Sequence, residues 1–240
     1  MSLTPTRILV AVAMVFAIAI ATLVIWGMAE SPAPAPENTQ TATTPEATTT
    51  PQTATTTKPI SNPNEIKLIA YTTAYTYFDN TPPGSSIIAF EKSAGYPTLH
   101  DVAGGTGTYS DPVSVAVGHS IVNGVDIPDF KPGTRFYLPN LRRYFIVEDT
   151  CGDGSDPQDE PCHRLDTPSN PAPRSTQVWL DMWIGGDANS TSKEADECAS
   201  TVTDKHLIIE KPASNYAVSP GPILLNGICA KQFGDAVVAK

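Results

Sequence analysis

The sequence predicts one mainly β domain, a small barrel or sandwich, set behind an apolar N-terminal segment and a low-complexity stalk. Three observations carry this. Beyond Ile66, short apolar runs alternate with Gly, Pro, Asn and Asp, the punctuation of strands joined by turns. Residues 31–58 are almost wholly Thr, Pro, Ala, Gln and Glu, with no large apolar side chain to offset the entropy of ordering them. Ile8 to Trp26 runs without a charged residue, between Arg7 and Glu30. The expected segments are therefore 1–29, 30–64 and 65–240.

At a rise of ~1.5 Å per residue, a helix over Ile8 to Trp26 spans the ~30 Å hydrocarbon core, and the preceding Arg7 sets its N-terminus in the cytoplasm. A secretory signal has a shorter apolar region, ~7–15 residues, and Trp26 suits an interfacial anchor. The expectation is an uncleaved single-pass anchor in the cell membrane, with the rest of the chain extracytoplasmic. If the segment is cleaved, the protein is secreted. The stalk is expected to be a disordered, polyproline-leaning spacer.

In the domain the strand candidates come in order: IKLIAYTTAYTYF, DPVSVAVG, TRFYLP, RYFIVED, VWLDMWIGG and HLIIEKP. The glycines around Gly107 precede a strand rather than a helix, so they predict a tight turn and not a phosphate loop. One short helix is expected, from Ser192 to Ser200, where Ser at the start and acids in the first turn form a cap signal.

Cys151, Cys162, Cys198 and Cys229 make an even count in an exported domain, which favours disulfides, with three possible connectivities. Cys151 and Cys162 bracket the polar loop GDGSDPQDEP. The expected pairs are Cys151 with Cys162 and Cys198 with Cys229. No C-x-x-C pair is present to suggest zinc. Asp153, Asp156, Asp159 and Glu160 do not follow EF-hand spacing, so a solvated acidic loop is expected. Neither a metal nor a cofactor is predicted.

Two carboxylates stand at the ends of apolar strand-like runs: Asp149 in RRYFIVEDTCG and Asp181 in VWLDMWIGG. Strands that bury Phe145, Val147, Leu180 and Met182 hold such acids on a rigid support, as catalytic or sugar-binding carboxylates require. The competing reading has both acids capping turns or pairing with Arg142 and Arg143. A net charge of −10 and the lack of any basic cluster argue against a nucleic-acid partner.

Taken in order, YTTAYTYF, DPVSVAV, the P-G-T-x-x-Y-x-P turn at Pro132 to Pro139, E-D-T-C-G and L-D-M-W-I-G-G resemble the 3D domain. That family is named for three aspartates and occurs in MltA-type lytic transglycosylases; the RlpA-like barrels are structurally similar. The resemblance covers Ile66 to Ser214 and implies a six-stranded double-psi β-barrel with a short helix. It also implies an exported protein that cleaves cell-wall glycan, peptidoglycan foremost. Asp149 and Asp181 match two of the family's aspartates. The third position reads Ala116, Val117, Gly118, His119, leaving Asp111 or His119 as substitutes. Cys162 to Gln177 is an insertion placed to reshape the groove.

Such an enzyme needs one protonated carboxyl to give a proton to the glycosidic oxygen. Asp181, among Trp179, Leu180, Met182 and Trp183, is the candidate acid, and Asp149 the candidate charge stabiliser. Tyr75, Tyr77, Trp179 and Trp183 are candidate platforms for sugar rings, joined in the binding set by Asp111 and His119. The alternative is a non-catalytic module binding glycan or protein on the same scaffold. The expected partners are a polysaccharide and, through the N-terminal segment, the membrane; the domain is expected to be a monomer.

Overall fold

Each of the six apolar runs forms a strand in the computed structural model, which describes residues 62–167, 170–186 and 189–240. The apolar segment Ile8 to Trp26 and the stalk lie outside the described residues. Among the described residues no helix is long and apolar enough to cross a membrane. The strands are β1 (Ile66–Tyr75), β2 (Val113–Val122), β3 (Val125–Pro128), β4 (Arg135–Leu138), β5 (Arg143–Cys151), β6 (Val178–Trp183), β7 (Asp204–Glu210), β8 (Leu224–Leu225) and β9 (Ile228–Cys229).

The domain is mainly β: seven strands join in the order β3-β2-β5-β4-β7-β1-β6, and β2 also pairs with β6. The β2–β5 and β1–β6 pairs are parallel and the others antiparallel. With neighbours on both edges, β2 and β5 are buried residue after residue, from Val113 to His119 and from Arg143 to Asp149. That burial on both faces is why their sequences read as continuous apolar runs rather than alternating ones. Val115, Val117, Phe145, Val147, Leu180 and Met182 meet in the core.

Three strands lie outside the six runs. The β2–β3 hairpin turns at Asn123 and Gly124, both at positive φ (53° and 77°), the conformation that Asn-Gly supplies for a two-residue hairpin turn. Its Val125 and Ile127 are exposed, so the segment has no buried alternation to mark it. The two-residue strands β8 and β9 pair only with each other.

The helix α1 (Ser192–Val202) starts at the expected residue and runs two residues further than expected, but its cap is Thr191 and not Ser192. Thr191 is the cap: its hydroxyl accepts from the Glu194 amide, and the Glu194 carboxylate accepts from the Thr191 amide, a reciprocal arrangement that satisfies two otherwise orphaned donors. Ala195, Cys198 and Val202 form its buried stripe. Cys198 is bonded to Cys229 and Cys151 to Cys162, with Cα separations of 5.3 and 6.0 Å. Gly118 lets the second of these loops come close: a Cβ there would lie 2.6 Å from the Cys162 carbonyl oxygen and 2.5 Å from the Asp129 carboxylate.

Candidate active site

Ala116 is the register partner of Asp149 on β5 and, on its other side, of Asp181 on β6. Neighbouring strands lie ~4.8 Å apart, so the two acids flank one small residue with backbones at most ~10 Å apart. A pocket of about 280 Å³ opens over them, with Ala116 in its lining. Its remaining wall comes from the end of β1 (Tyr75), the segment Asp79 to Thr81, the segment Ile87 to Ala89, and the lip Thr150 to Asp153.

Asp149 reaches this position through a β-bulge. Val115 pairs with Val147 and Ala116 with Asp149, so Glu148 is the extra residue. The bulge lets two consecutive carboxylates face different surroundings, which simple alternation forbids. Glu148 is fully buried and accepts from the amides of Leu99 and His100 and from the Ser114 hydroxyl, 2.6–3.1 Å away. The His100 ring bridges it, at 2.7 Å, to Asp111 at 2.9 Å. The Glu148 hydrogen bond is the chief influence that raises His100 to about 8, while burial opposes it. The Phe90 amide donates to the Glu148 carbonyl at 2.9 Å and the Ala89 amide to the Asp149 carboxylate at 3.0 Å, which holds the segment Ile87 to Ala89 over the pocket.

Burial pushes both pocket acids up. Asp181 rises to about 7, first because protein surrounds the carboxyl even though it keeps some exposure through the pocket mouth; the Thr73 hydroxyl donating at 2.5 Å opposes the rise, and the charges of Asp79 and Asp149 add to it. Asp149 rises to about 6 by the same desolvation, moderated by the Thr150 and Ala89 amides. Thr73 in turn accepts from the Trp179 ring nitrogen at 2.7 Å, so Trp179 orients the donor to Asp181. Tyr75 lies beside Asp149. Its buried hydroxyl makes no hydrogen bond of ordinary geometry, yet burial and the nearby carboxylates hold its pKa well above the usual phenol value.

The structure thus brings Tyr75, Asp149 and Asp181 together. Tyr77, Trp179, Trp183, Asp111 and His119 do not line this pocket. Trp183 packs edge-on against Tyr75 with ring centres 5.2 Å apart, Trp179 against Tyr71 at 4.8 Å, and Tyr77 meets Phe78 edge-to-face at 5.8 Å. These rings spend their faces on the protein itself. His119 has both ring nitrogens occupied, by Asp126 at 2.7 Å and the Gly152 carbonyl at 2.8 Å. Asp111 is engaged with His100 and the Thr106 amide. Cys162, His163, Leu165 and Gln177, from the stretch expected to reshape the groove, line a separate recess with Trp179 and not the pocket of the two acids.

The acids that do join the pair, Asp79 and Asp153, come from loops. Asp79 accepts from the amide and hydroxyl of Thr76, both at 2.6 Å; Asp153 accepts from Thr81 at 2.8 Å. The T-x-x-D spacing of Thr76 to Asp79 is a turn signal visible in the sequence, but nothing local shows that it faces Asp181. Among the described residues no cluster of three or more His, Cys, Asp or Glu side chains has the geometry to hold a metal.

A family model described as the DDB_G0273701 N-terminal domain matches residues 67–230, a span that takes in the pocket and both disulfides. A protein of Dictyostelium discoideum, described as uncharacterized protein DDB_G0273701/DDB_G0273221, is 31% identical over 180 residues, covering 74% of this chain and 67% of its own length. No solved structure matches the chain. The span and the identity together place the chain in the DDB_G0273701 N-terminal domain family.

Proposed function

We propose that this chain is an extracytoplasmic, membrane-anchored protein acting on a cell-wall-type polysaccharide, by lytic-transglycosylase-like cleavage at Asp181 and Asp149. The observation that carries this reading is the pair of carboxyls on either side of Ala116, both pushed above the usual carboxylate range, first of all by burial. A carboxyl held protonated near neutral pH beside a second carboxylate is the arrangement that acid catalysis next to charge stabilisation uses. The fold belonging to this proposal is the six-stranded double-psi β-barrel. It is supported by pairings that run from β2 through β5, β4, β7, β1 and β6 and return to β2. Export is supported by the apolar Ile8 to Trp26 segment and by two disulfides. After fractionation the intact chain stays with membranes, and added protease releases a soluble core; a fully soluble mature chain contradicts the anchor.

In the proposed reaction Asp181 gives its proton to the glycosidic oxygen as that bond to the anomeric carbon breaks. Asp149, ionised, stabilises the positive charge developing there. A hydroxyl of the same sugar attacks the anomeric carbon and its proton returns to Asp181, leaving an anhydro end. Incubating the full chain with purified glycan strands yields anhydro-sugar products by mass spectrometry; reducing ends in their place indicate hydrolysis. A second reading, a non-catalytic glycan- or protein-binding barrel, is favoured by one observation: β2 brings no carboxylate to the pocket. Tight glycan binding with no product selects it, and neither binding nor product overturns both.

A further inference from the structure

We infer that Asn189 is the acceptor of an N-linked oligosaccharide, attached while the chain is still unfolded; this rests on the export in the reading above and not on its polysaccharide chemistry. Of the ten asparagines in the sequence, only Asn189 has Ser or Thr two positions on with no Pro between, in Asn189-Ser190-Thr191. That pattern is the acceptor signal of exported chains, and it is usable where it lies on a surface loop. Such a triplet also arises by chance, so its place in the fold decides.

The fold gives it a surface loop. Asn189 is exposed and belongs neither to β6, which ends at Trp183, nor to α1, which starts at Ser192. Its φ of 56° is the left-handed conformation that asparagine adopts more readily than other side chains. Among the described residues none bonds its carboxamide. It does not line the pocket of Asp149 and Asp181, so a bulky group here does not fill that pocket. The two disulfides belong to an oxidising compartment, the side of the membrane on which such sugar transfer takes place.

Thr191 has two uses that exclude each other. In the fold its hydroxyl donates to the Glu194 carboxylate at 2.9 Å and accepts from the Glu194 amide at 3.3 Å, closing the N-terminus of α1. In the acceptor signal the same hydroxyl must be free for the transferase. Ser190 is engaged too: its hydroxyl accepts from the Gly227 amide at 3.1 Å, which ties the triplet to the β8–β9 turn. Transfer therefore precedes the capping of α1 and the docking of that turn. In it the Asn189 Nδ2 attacks the anomeric carbon of an oligosaccharide carried on a polyprenyl pyrophosphate. The C–N bond forms as the C–O bond breaks, the pyrophosphate leaves with the electron pair, and Nδ2 gives one proton to the transferase.

The test begins with the chain recovered from the cells that make it. Its digest should contain a peptide with an oligosaccharide on position 189, and release by an N-glycan amidase in heavy-oxygen water should leave the label there. Full-length chain translated with microsomes supplies the variants. Wild type and Thr191→Ser gain a gel shift that the amidase reverses, whereas Asn189→Gln and Thr191→Asn lack it. Thr191→Asn keeps a capping side chain, so its missing shift is not a loss of fold. A shift that persists in Asn189→Gln overturns the assignment. Unmodified Asn189 in a chain that microsomes protect from protease overturns it and leaves export standing; a chain left open to protease overturns export as well. In detergent-opened microsomes the reduced, unfolded chain accepts the sugar and the folded chain does not, and equal acceptance by both overturns the order of events.

Discussion

Replacing Asp181 by Asn is expected to make the domain more stable above neutral pH. An unfolded aspartate titrates at 3.8, and Asp181 in the fold at about 7. Between those values the folded state holds a proton that the unfolded state has released. The stability this provides is present at low pH and is lost as pH rises through about 7. From pH 5 to pH 8 two units lie below the folded value, and at ~1.36 kcal/mol per unit the loss is ~2.7 kcal/mol. Asp149, at about 6, adds ~1.4 kcal/mol by the same arithmetic. Asn at position 181 cannot ionise but still accepts from the Thr73 hydroxyl. The variant's advantage over wild type should therefore already be ~1.6 kcal/mol at pH 5, from the interval between 3.8 and 5, and grow by a further ~2.7 kcal/mol by pH 8. His100 contributes a slope of its own, its stabilisation being present below 6.5 and lost as pH rises through about 8. That slope is common to both proteins and cancels in the difference. Urea unfolding with disulfides intact, at half-unit steps from pH 5 to 8, measures it. Parallel curves refute the raised pKa, and a variant weaker at every pH shows that the carboxylate serves turn amides instead of chemistry.

Under the proposed reaction, Asp181→Asn lowers product formation by ~10²–10⁴-fold and Asp149→Asn by ~10²-fold; a fully active Asp181→Asn enzyme takes that residue out of the mechanism. Removing the Cys151–Cys162 bond by paired Cys→Ser changes costs on the order of 3 kcal/mol in the chain-entropy model and frees the lip at Gly152 and Asp153. An unchanged melting temperature without reductant contradicts this. His100→Gln leaves buried Glu148 without its cation, a loss of roughly 3–5 kcal/mol, and hydrogen exchange should then accelerate first at Ala89, Leu99 and the position-100 amide; uniform exchange across the domain contradicts a local clamp.

Much of the scaffold is legible along the chain because burial writes itself locally. Strands enclosed on both faces, such as Val113 to His119 and Arg143 to Asp149, carry apolar cores (Val115 to Val117, Tyr144 to Val147) with their few polar residues satisfied by partners, and glycine- and proline-rich turns separate them. The cap signal near Ser192 and the two pairs of cysteines were readable for similar reasons, since they act over a few residues or through a small set of combinations. The exposed β3 strand carries no such mark.

The sequence by itself determined a mainly β domain with short strands, one capped helix, and two acids raised on apolar supports at Asp149 and Asp181. Only the tertiary structure decided that these acids share Ala116 as neighbour, 32 residues apart in the chain, and that a one-residue bulge sends Glu148 inward to His100 and Asp149 into the pocket. It alone turned Trp179 and Trp183 into supports rather than platforms, and drew Asp79 and Asp153 to the rim in place of Asp111 and His119. The physical reason is that a carboxyl's pKa and a ring's free face depend on what surrounds them in space. Those surroundings come from strands and loops far apart in sequence, and no local pattern of residues encodes them.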